Sequence, residues 1–551
     1  MFSLTGLVLL FVVILPGCNG GSEQKQAETT DDQASVRLTL AKQKRCRSNL
    51  HKALEMLRPS PKRVDSELQS VLVLLNQWFG TCAEISETKL DPNDGAFAEF
   101  ADGAAVEQLN QPVASMTDIH YLRDQFLARE VARNVIQAEP TDLAKIRTVF
   151  DHVCRNISQD PNMIDPRLAG VFISPEVYQQ ITPQIIPRSL HDLVLAGRGT
   201  AEDRVWLMST MLRQLQFSNY LYSSGGVTPA APHQLLLIVP VDQELLVFCP
   251  GLGIELTSAS GDPWKVEDFQ GAGNEIRSRI LFTDFQGEQL VADWLAADWS
   301  AGALLNPAPL MAISPRMEVV QLDLSGELAC EVYVPPASAA EPLAEDALPV
   351  VKTAHQLREL ASRFWAYPHL RYAMLGTGAN EVEQMRTLFL ASLMKEVQSV
   401  RATEDQNENK SYQMNLERQM MKGRMEQILG ENKDALRVYT NIRLQTRVAG
   451  EDQQAAVENM MRYIQVEDAH YWSAISQLDN ATYAAAANNL RDYAKRYPQG
   501  RWLRDVVELL AEAEYRDGHV EEAIRLLEES GDLLPQQKVR RIQKLKTWKA
   551  Q

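Results

Sequence analysis

Two apolar periodicities within one chain predict an α+β body flanked by helical segments. From 36 to 83, and again from 379 to 551, apolar side chains recur at helical spacing, whereas Leu235–Pro240 and Glu244–Cys249 are short β-type runs joined by Val241-Asp242-Gln243. Just before those strands, Gly197-Arg198-Gly199-Thr200-Ala201 opens a strongly apolar helix over 200–215. A helix N-terminus is thereby set against a sheet, and the reading of function concentrates there.

Composition limits what that site can do. At 551 residues, 45% hydrophobic and 23% charged, the chain can bury large cores. A net charge of −17 without a Lys/Arg stripe argues against nucleic acid, which needs a basic surface. No Gly-X-X-X-X-Gly-Lys run and no paired-glycine fingerprint follows a strand, so no nucleotide is expected. The nine histidines show no His-X-X-X-His spacing and the cysteines no Cys-X-X-Cys spacing, so neither a metal nor a cofactor is expected.

At the N-terminus, Leu7–Leu15 is too short to span a bilayer but suits the apolar core of a secretory signal. Leu15-Pro16-Gly17-Cys18 closes it and resembles the lipobox of bacterial lipoproteins, although Pro16 and the absence of Lys or Arg from the first six residues depart from that pattern. The resemblance implies a signal over 1–18, lipid on Cys18, and a protein anchored to the membrane rather than spanning it. Asn19 after the cysteine implies the outer membrane, facing the periplasm. Residues 19–36 are polar and read as a flexible tether.

Residues 37–140 read as a helical cap. Leu50, Leu54 and Leu57, then Val64, Leu68, Val71, Leu72, Leu75 and Trp78, form two apolar stripes separated by Pro59-Ser60-Pro61. Of the six cysteines, five remain if Cys18 carries lipid; Cys46 and Cys82 lie in neighbouring helical segments, and spacing alone leaves their pairing open. A further helix covers 115–138.

The segment 141–290 begins with a helix over 141–156 capped by Thr141 and continues through a proline-rich loop to a short helix after Ser189 and the central helix. Over 291–378 the pattern predicts a mixed subdomain: a helix at Asp293-Trp294-Leu295, strand-turn-strand across Arg316–Pro335 with Ser325-Gly326 as the reversal, a mobile loop at 336–349, a helix over His355–Trp365 and a turn at Tyr367-Pro368. The rest, 379–551, reads as almost wholly helical. Ala435 and Tyr439, Tyr483 to Ala487 with Tyr493, and Ala511, Tyr515, Gly518 and Ala523 put small residues where paired helices touch. This resembles tetratricopeptide-type hairpins, roughly two to three of them, without a clean 34-residue period.

With both central stretches in place, 141–256 resembles a transglutaminase-like domain of the papain-like superfamily. In that family Gly-X-Cys opens the central helix, a His begins the next strand, and an Asp-Pro ends the strand after it. Here Gly199-Thr200-Ala201, His233 and Cys249-Pro250 occupy those places. The resemblance implies the fold, with Ala201, His233 and Cys249 as degenerate triad positions. A methyl group at 201 cannot attack an acyl carbon, so the family's chemistry is expected to be lost. Thr200 is read as an N-cap rather than a substitute nucleophile, Cys154 as packing, and Glu202, Asp203 and Arg204 as structural.

The expectation is a non-catalytic binding or scaffold lipoprotein of the cell envelope whose partner is an envelope protein or peptide. The alternative is a working cysteine peptidase or amidase that uses Cys249 with His233.

Overall fold

The computed structural model describes residues 44–60, 67–83, 89–91, 94–97, 104–137, 139–160, 164–168, 186–223, 235–241, 244–256, 303–335, 363–404, 410–445 and 452–529, with isolated positions between them and within 540–549. Cys18, the tether, His233, the expected helix at 293–295 and the expected loop at 336–349 lie outside the described residues. No described helix is long and apolar enough to cross a membrane.

The chain is mostly helical, with a six-stranded mixed sheet and a C-terminal helical array. Helix α1 (44–57) buries Leu50, Leu54 and Leu57, and α2 (Leu68–Thr81) buries Val71, Leu75 and Trp78, as their spacing requires. A Cys46–Cys82 disulfide ties the two together, settling the pairing that spacing left open.

After the short α3 (Ala104–Leu109) comes α4 (Met116–Val135), opened by a reciprocal cap between Ser115 and Asp118. This helix is buried almost all round although it is rich in polar residues. Those polar side chains bind other elements: both Asp118 carboxylate oxygens accept from Arg316 Nη2 at 3.0 Å, and Asp124 accepts the Leu190 and His191 amides at 2.7 and 3.0 Å. Asp124 thereby seals the amide end of α6 (Leu190–Ala196), which lies beyond α5 (Asp142–Asn156).

Strand β1 (Ser158–Gln159) pairs in parallel with β2 (Arg198–Gly199), which leads into the central helix α7 (Ala201–Gln214). Every residue of α7 from Asp203 to Gln214 is buried, in agreement with its apolar circumference. It packs among α4, α5 and the larger sheet. That sheet consists of β3 (Tyr220–Ser223), β4 (Leu235–Val241), β5 (Glu244–Cys249), β6 (Ile254–Leu256), β7 (Ala303–Asn306) and β8 (Arg363–Phe364), in the order β6-β5-β4-β3-β7-β8. Its pairs are antiparallel except β7 with β8. Phe150 of α5 meets Phe248 of β5 with ring centroids 4.9 Å apart, so helix and sheet share one core.

Three sequence expectations are corrected. Arg316–Pro335 is not a strand pair: α8 (Pro315–Asp323) starts there, capped by Ser314 with Pro315 in its first turn, and a 3-10 turn follows at Gly326–Leu328. Ser-Pro is a helix-start signal, and Pro costs nothing where the amide has no helical partner. The helix expected over His355–Trp365 is present at His355, Leu357 and Arg358 but stops short of its expected end, where Arg363–Phe364 form β8; α9 (Ala366–Gly376) runs through Pro368 because the proline sits in the first turn. Finally, 379–551 is interrupted after α10 (Asn380–Phe389) and α11 (Ala391–Met394) by a hairpin of β9 (Val397–Glu404) and β10 (Lys410–Glu417). Its register sets Val400 opposite Met414 and Ala402 opposite Tyr412, a period-two pattern inside an otherwise helical region.

The array itself is three consecutive helix pairs: α12 (Gln419–Ile428) with α13 (Asn432–Arg443), α14 (Gln453–Asp479) with α15 (Tyr483–Arg496), and α16 (Leu503–Arg516) with α17 (Val520–Glu529). Ala435, Ala486, Ala511 and Ala523 are fully buried, as close helix approach demands. At 27 residues α14 is about twice the length of its neighbours, which is why no regular repeat is visible in the sequence. The main core is continuous from Leu50 to Ala513 and includes residues on both sides of position 379.

Gly197 shows how tightly that core closes. Its φ of +65° is left-handed, and a Cβ there would overlap the Trp472 ring of α14. Gly326 has a similar φ of +61° but open space around it. Gly326→Ala is therefore expected to cost about 1 kcal/mol from backbone conformation alone. Gly197→Ala should cost on the order of 3 kcal/mol or more because steric overlap is added. Urea denaturation of the two variants measures the difference, and equal losses would contradict this packing.

Candidate functional site

The start of α7 is built by local rules. Gly197 ends α6, and Thr200 caps α7 reciprocally: its hydroxyl accepts the Asp203 amide at 3.3 Å while the Asp203 carboxylate accepts the Thr200 amide at 2.7 Å. This is the N-cap role expected of Thr200. Ala201 is the first helical residue and is half-buried.

Asp203 and Arg204, read as structural, each bond to other elements of the chain. Burial alone would raise the Asp203 carboxyl, but the Arg188 and Arg371 guanidiniums outweigh it and hold it below the usual carboxylate range. Arg188 Nε donates to it at 2.8 Å, and the Tyr367 hydroxyl donates to its other oxygen at 2.8 Å. Arg371 in turn donates to the Tyr367 hydroxyl at 3.0 Å. The positive end of α7 is thus already engaged by an internal carboxylate fixed by two arginines. Beside it, burial pushes the Glu202 carboxyl up.

Arg204 lies one turn further along and donates to three carbonyls: Ile157 at 2.8 Å, Cys154 at 3.1 Å and Pro250 at 3.3 Å. The last of these brings the end of β5 within one arginine side chain of the α7 N-terminus, so the surroundings of positions 201 and 249 do meet. His233 lies outside the described residues. Cys249 itself is fully buried, and burial pushes its thiol up to about 12. Roughly one such thiol in 10⁵ would be ionised at pH 7, against a few per cent for an ordinary cysteine. The Cys154 thiol is likewise buried and raised, as a packing residue should be. Among the described residues no group of three or more His, Cys, Asp or Glu is arranged to hold a metal.

Sequence reasoning did not find Arg188, Tyr367 and Arg371, which close this network. Their partners lie up to 167 positions away, as between Thr200 and Tyr367, and no local pattern marks such a contact.

Comparison with known proteins bears on a different part of the chain. Residues 465–540 match the family described as YfiO: Outer membrane lipoprotein. No curated protein and no solved structure matches. The matched stretch covers the second half of α14, then α15, α16 and α17.

Within that stretch, the first helix of each pair faces the rest of the chain. From α14, Trp472 covers Gly197, and Asp479 takes the Arg155 guanidinium at 2.9 Å. Glu467 of the same helix pairs with Arg167. From α16, Glu512 takes Arg155 at 3.2 Å and Asp505 accepts the Ser158 hydroxyl of β1. Just upstream, Arg424 of α12 donates to the Leu195 and Val194 carbonyls at 2.9 and 2.8 Å, with its guanidinium 3.4 Å from the Trp472 ring centre. One helix of each pair, α12, α14 and α16, is thus bound to the chain's own centre.

Two expected outcomes follow. Iodoacetamide at pH 8 should leave Cys249 unmodified in the native protein and label it after unfolding, as peptide mass mapping would show; native labelling would contradict the buried thiol. Asp505 gives a pH dependence. Burial, with Glu508 and Asp160 nearby, raises its carboxyl from 3.8 to about 6 against the opposing Ser158 bond and Arg204 charge. The folded state holds the proton more tightly, so this contribution to stability is complete below the unfolded pKa and is lost as pH rises through about 6. Asp505→Asn should therefore gain about 2 kcal/mol on the parent between pH 4 and pH 7 in denaturation curves, whereas parallel curves would refute the assignment.

Proposed function

We propose that this chain is a lipid-anchored envelope protein that works by binding rather than by catalysis, held at the outer membrane through Cys18 and facing the periplasm. The observation that carries the reading is the match of 465–540 to the outer membrane lipoprotein family. Two features support it independently. Leu15-Pro16-Gly17-Cys18 has the form of a lipidation site, and the Cys46–Cys82 disulfide suits an oxidising compartment.

The middle of the chain is read as a degenerate transglutaminase-like domain over 141–290, followed by a mixed subdomain over 291–378. What supports this is the order of elements: a capped helix, buried from Asp203 onward and opened by Gly199-Thr200-Ala201, then antiparallel strands ending at Cys249-Pro250. Alanine at 201 removes the nucleophile, and the Arg188–Asp203–Tyr367 network uses the helix end structurally. The Cys249 and His233 peptidase has no comparable support, because a thiol near 12 is not a resting nucleophile.

The partner is an envelope protein or peptide. With α12, α14 and α16 turned inward, the surfaces open to it are the outward helices α13, α15 and α17 and the turns between pairs.

Fractionation tests the anchor. The parent protein should pellet with outer membranes and incorporate labelled palmitate, while Cys18→Ser should be released to the soluble fraction without label. Recovery of the parent as soluble, unlabelled protein would sink the proposal. Deleting 465–540 should leave an insoluble remainder, since the core that this region completes runs through the whole chain.

A further inference from the structure

At the far end of α7 from Ala201 lies a cavity of about 220 Å³, between the last turn of that helix, the start of β3, the end of β7 and the segment 331–335. It is smaller than the roughly 300–1,000 Å³ of drug-sized ligand sites, so its occupant is the size of one side chain or a short acid.

Its lining has two halves. Phe217, Pro307, Ala308 and Val334 form an apolar wall. The same cavity is lined by Arg213, Glu331 and Arg358, two cations and one anion, a positive balance on a chain of net charge −17. Most other polar groups at the cavity are committed elsewhere. Asn219 bonds Ser209 and the Phe217 carbonyl, and the Tyr220 hydroxyl donates to the Ala354 carbonyl at 2.5 Å. Gln216 donates to Glu331 Oε2 at 2.9 Å.

Arg213 is the exception. Its residue is 9% exposed, one terminal nitrogen donates to Gln125 at 2.6 Å, and its Nε is buried without a hydrogen-bond partner. The Glu331 oxygen nearest to it is 3.9 Å away, too far for a hydrogen bond. Arg213 thus lines the cavity with a guanidinium whose Nε has no protein acceptor, and Arg358 adds a second guanidinium, one terminal nitrogen of which donates to the Pro335 carbonyl at 2.5 Å.

We propose that this cavity binds a small carboxylic acid with a short apolar tail, its carboxylate between Arg213 and Arg358 and its tail along Phe217 and Val334. A planar carboxylate matches the guanidinium fork, and the apolar wall excludes ligands that are polar throughout. Glu331, partly neutralised by Arg213, weakens the attraction and selects against highly charged anions by repulsion.

Hexanoate and its neutral isostere hexanamide test this on the full-length protein by isothermal titration calorimetry. Hexanoate should bind at millimolar concentration and hexanamide should not. Arg358→Gln, at the partly exposed rim, should weaken hexanoate about tenfold, and Glu331→Gln should tighten it severalfold. Ser218→Phe at the exposed rim should block binding while leaving the melting temperature near that of the parent, which separates loss of the site from loss of the fold. Equal binding of acid and amide would overturn the proposal. So would unchanged affinity in a folded Arg358→Gln, or displacement of hexanoate by an equal concentration of inorganic phosphate.

Discussion

One contact organises much of this molecule: the Trp472 ring lies against the bare Cα of Gly197, under the Arg424 guanidinium. Gly197 must be glycine twice over, for its left-handed φ and for the absence of a Cβ. Arg424 spans both sides of the contact, because it also takes the Val194 and Leu195 carbonyls exposed at the end of α6. The array therefore completes the very turn that introduces β2 and α7. Without α12 and α14, the carbonyl end of α6 would lose its donors and the glycine turn its cover.

The same logic explains the chemistry at the start of α7. Helix amide ends attract negative charge, and catalytic helices use that attraction to stabilise a reactive anion. Here the anion is Asp203, already bonded by Arg188 and Tyr367 and fixed below its usual range. The field that would lower a thiol pKa is spent on architecture. Cys249 lies on the sheet and gains nothing from the helix, so burial dominates and its thiol moves up.

What was readable in the sequence is what local physics encodes. The caps at Ser189 and Thr200, the glycine stop at 197, the apolar strands at 235–249 and the alanine seams of the array each follow from a few neighbouring residues. The errors have equally definite causes. Tyr367-Pro368 reads as a turn, but Pro368 occupies a helical first turn where proline is harmless, and Ser314-Pro315 starts a helix where a strand pair was expected. Polar α4 was legible as a helix but not as a buried one, because Asp118 and Asp124 are compensated by Arg316 and by the amides of α6, far away in the chain. The β9–β10 hairpin was hidden by the helical pattern on either side. The helix start at Ala201 and the strand end at Cys249 were legible from the order of residues, whereas the Arg188, Tyr367 and Arg371 network could not be, since it exists only after the fold has assembled.

The joint between array and centre is made largely of charge: Arg155 with Asp479 and Glu512, Arg167 with Glu467, and Arg501 with Asp165 at 3.2 Å. Such pairs add little net stability once desolvation is counted, but removing one partner leaves a buried charge and costs several kcal/mol. Their effect is therefore on position more than on strength: a slid or rotated array would break several pairs at once. The apolar contact across the joint comes from Trp472, whose ring lies against Gly197 and is itself held within the array by edge-on packing on Tyr471 and Trp502 at 4.8 and 5.2 Å. A helical array fixed in this way does not behave as a flexible arm. A partner bound on its outward helices would be held at a set orientation to the rest of the chain, which is what a scaffold requires and what an array on a free hinge could not provide.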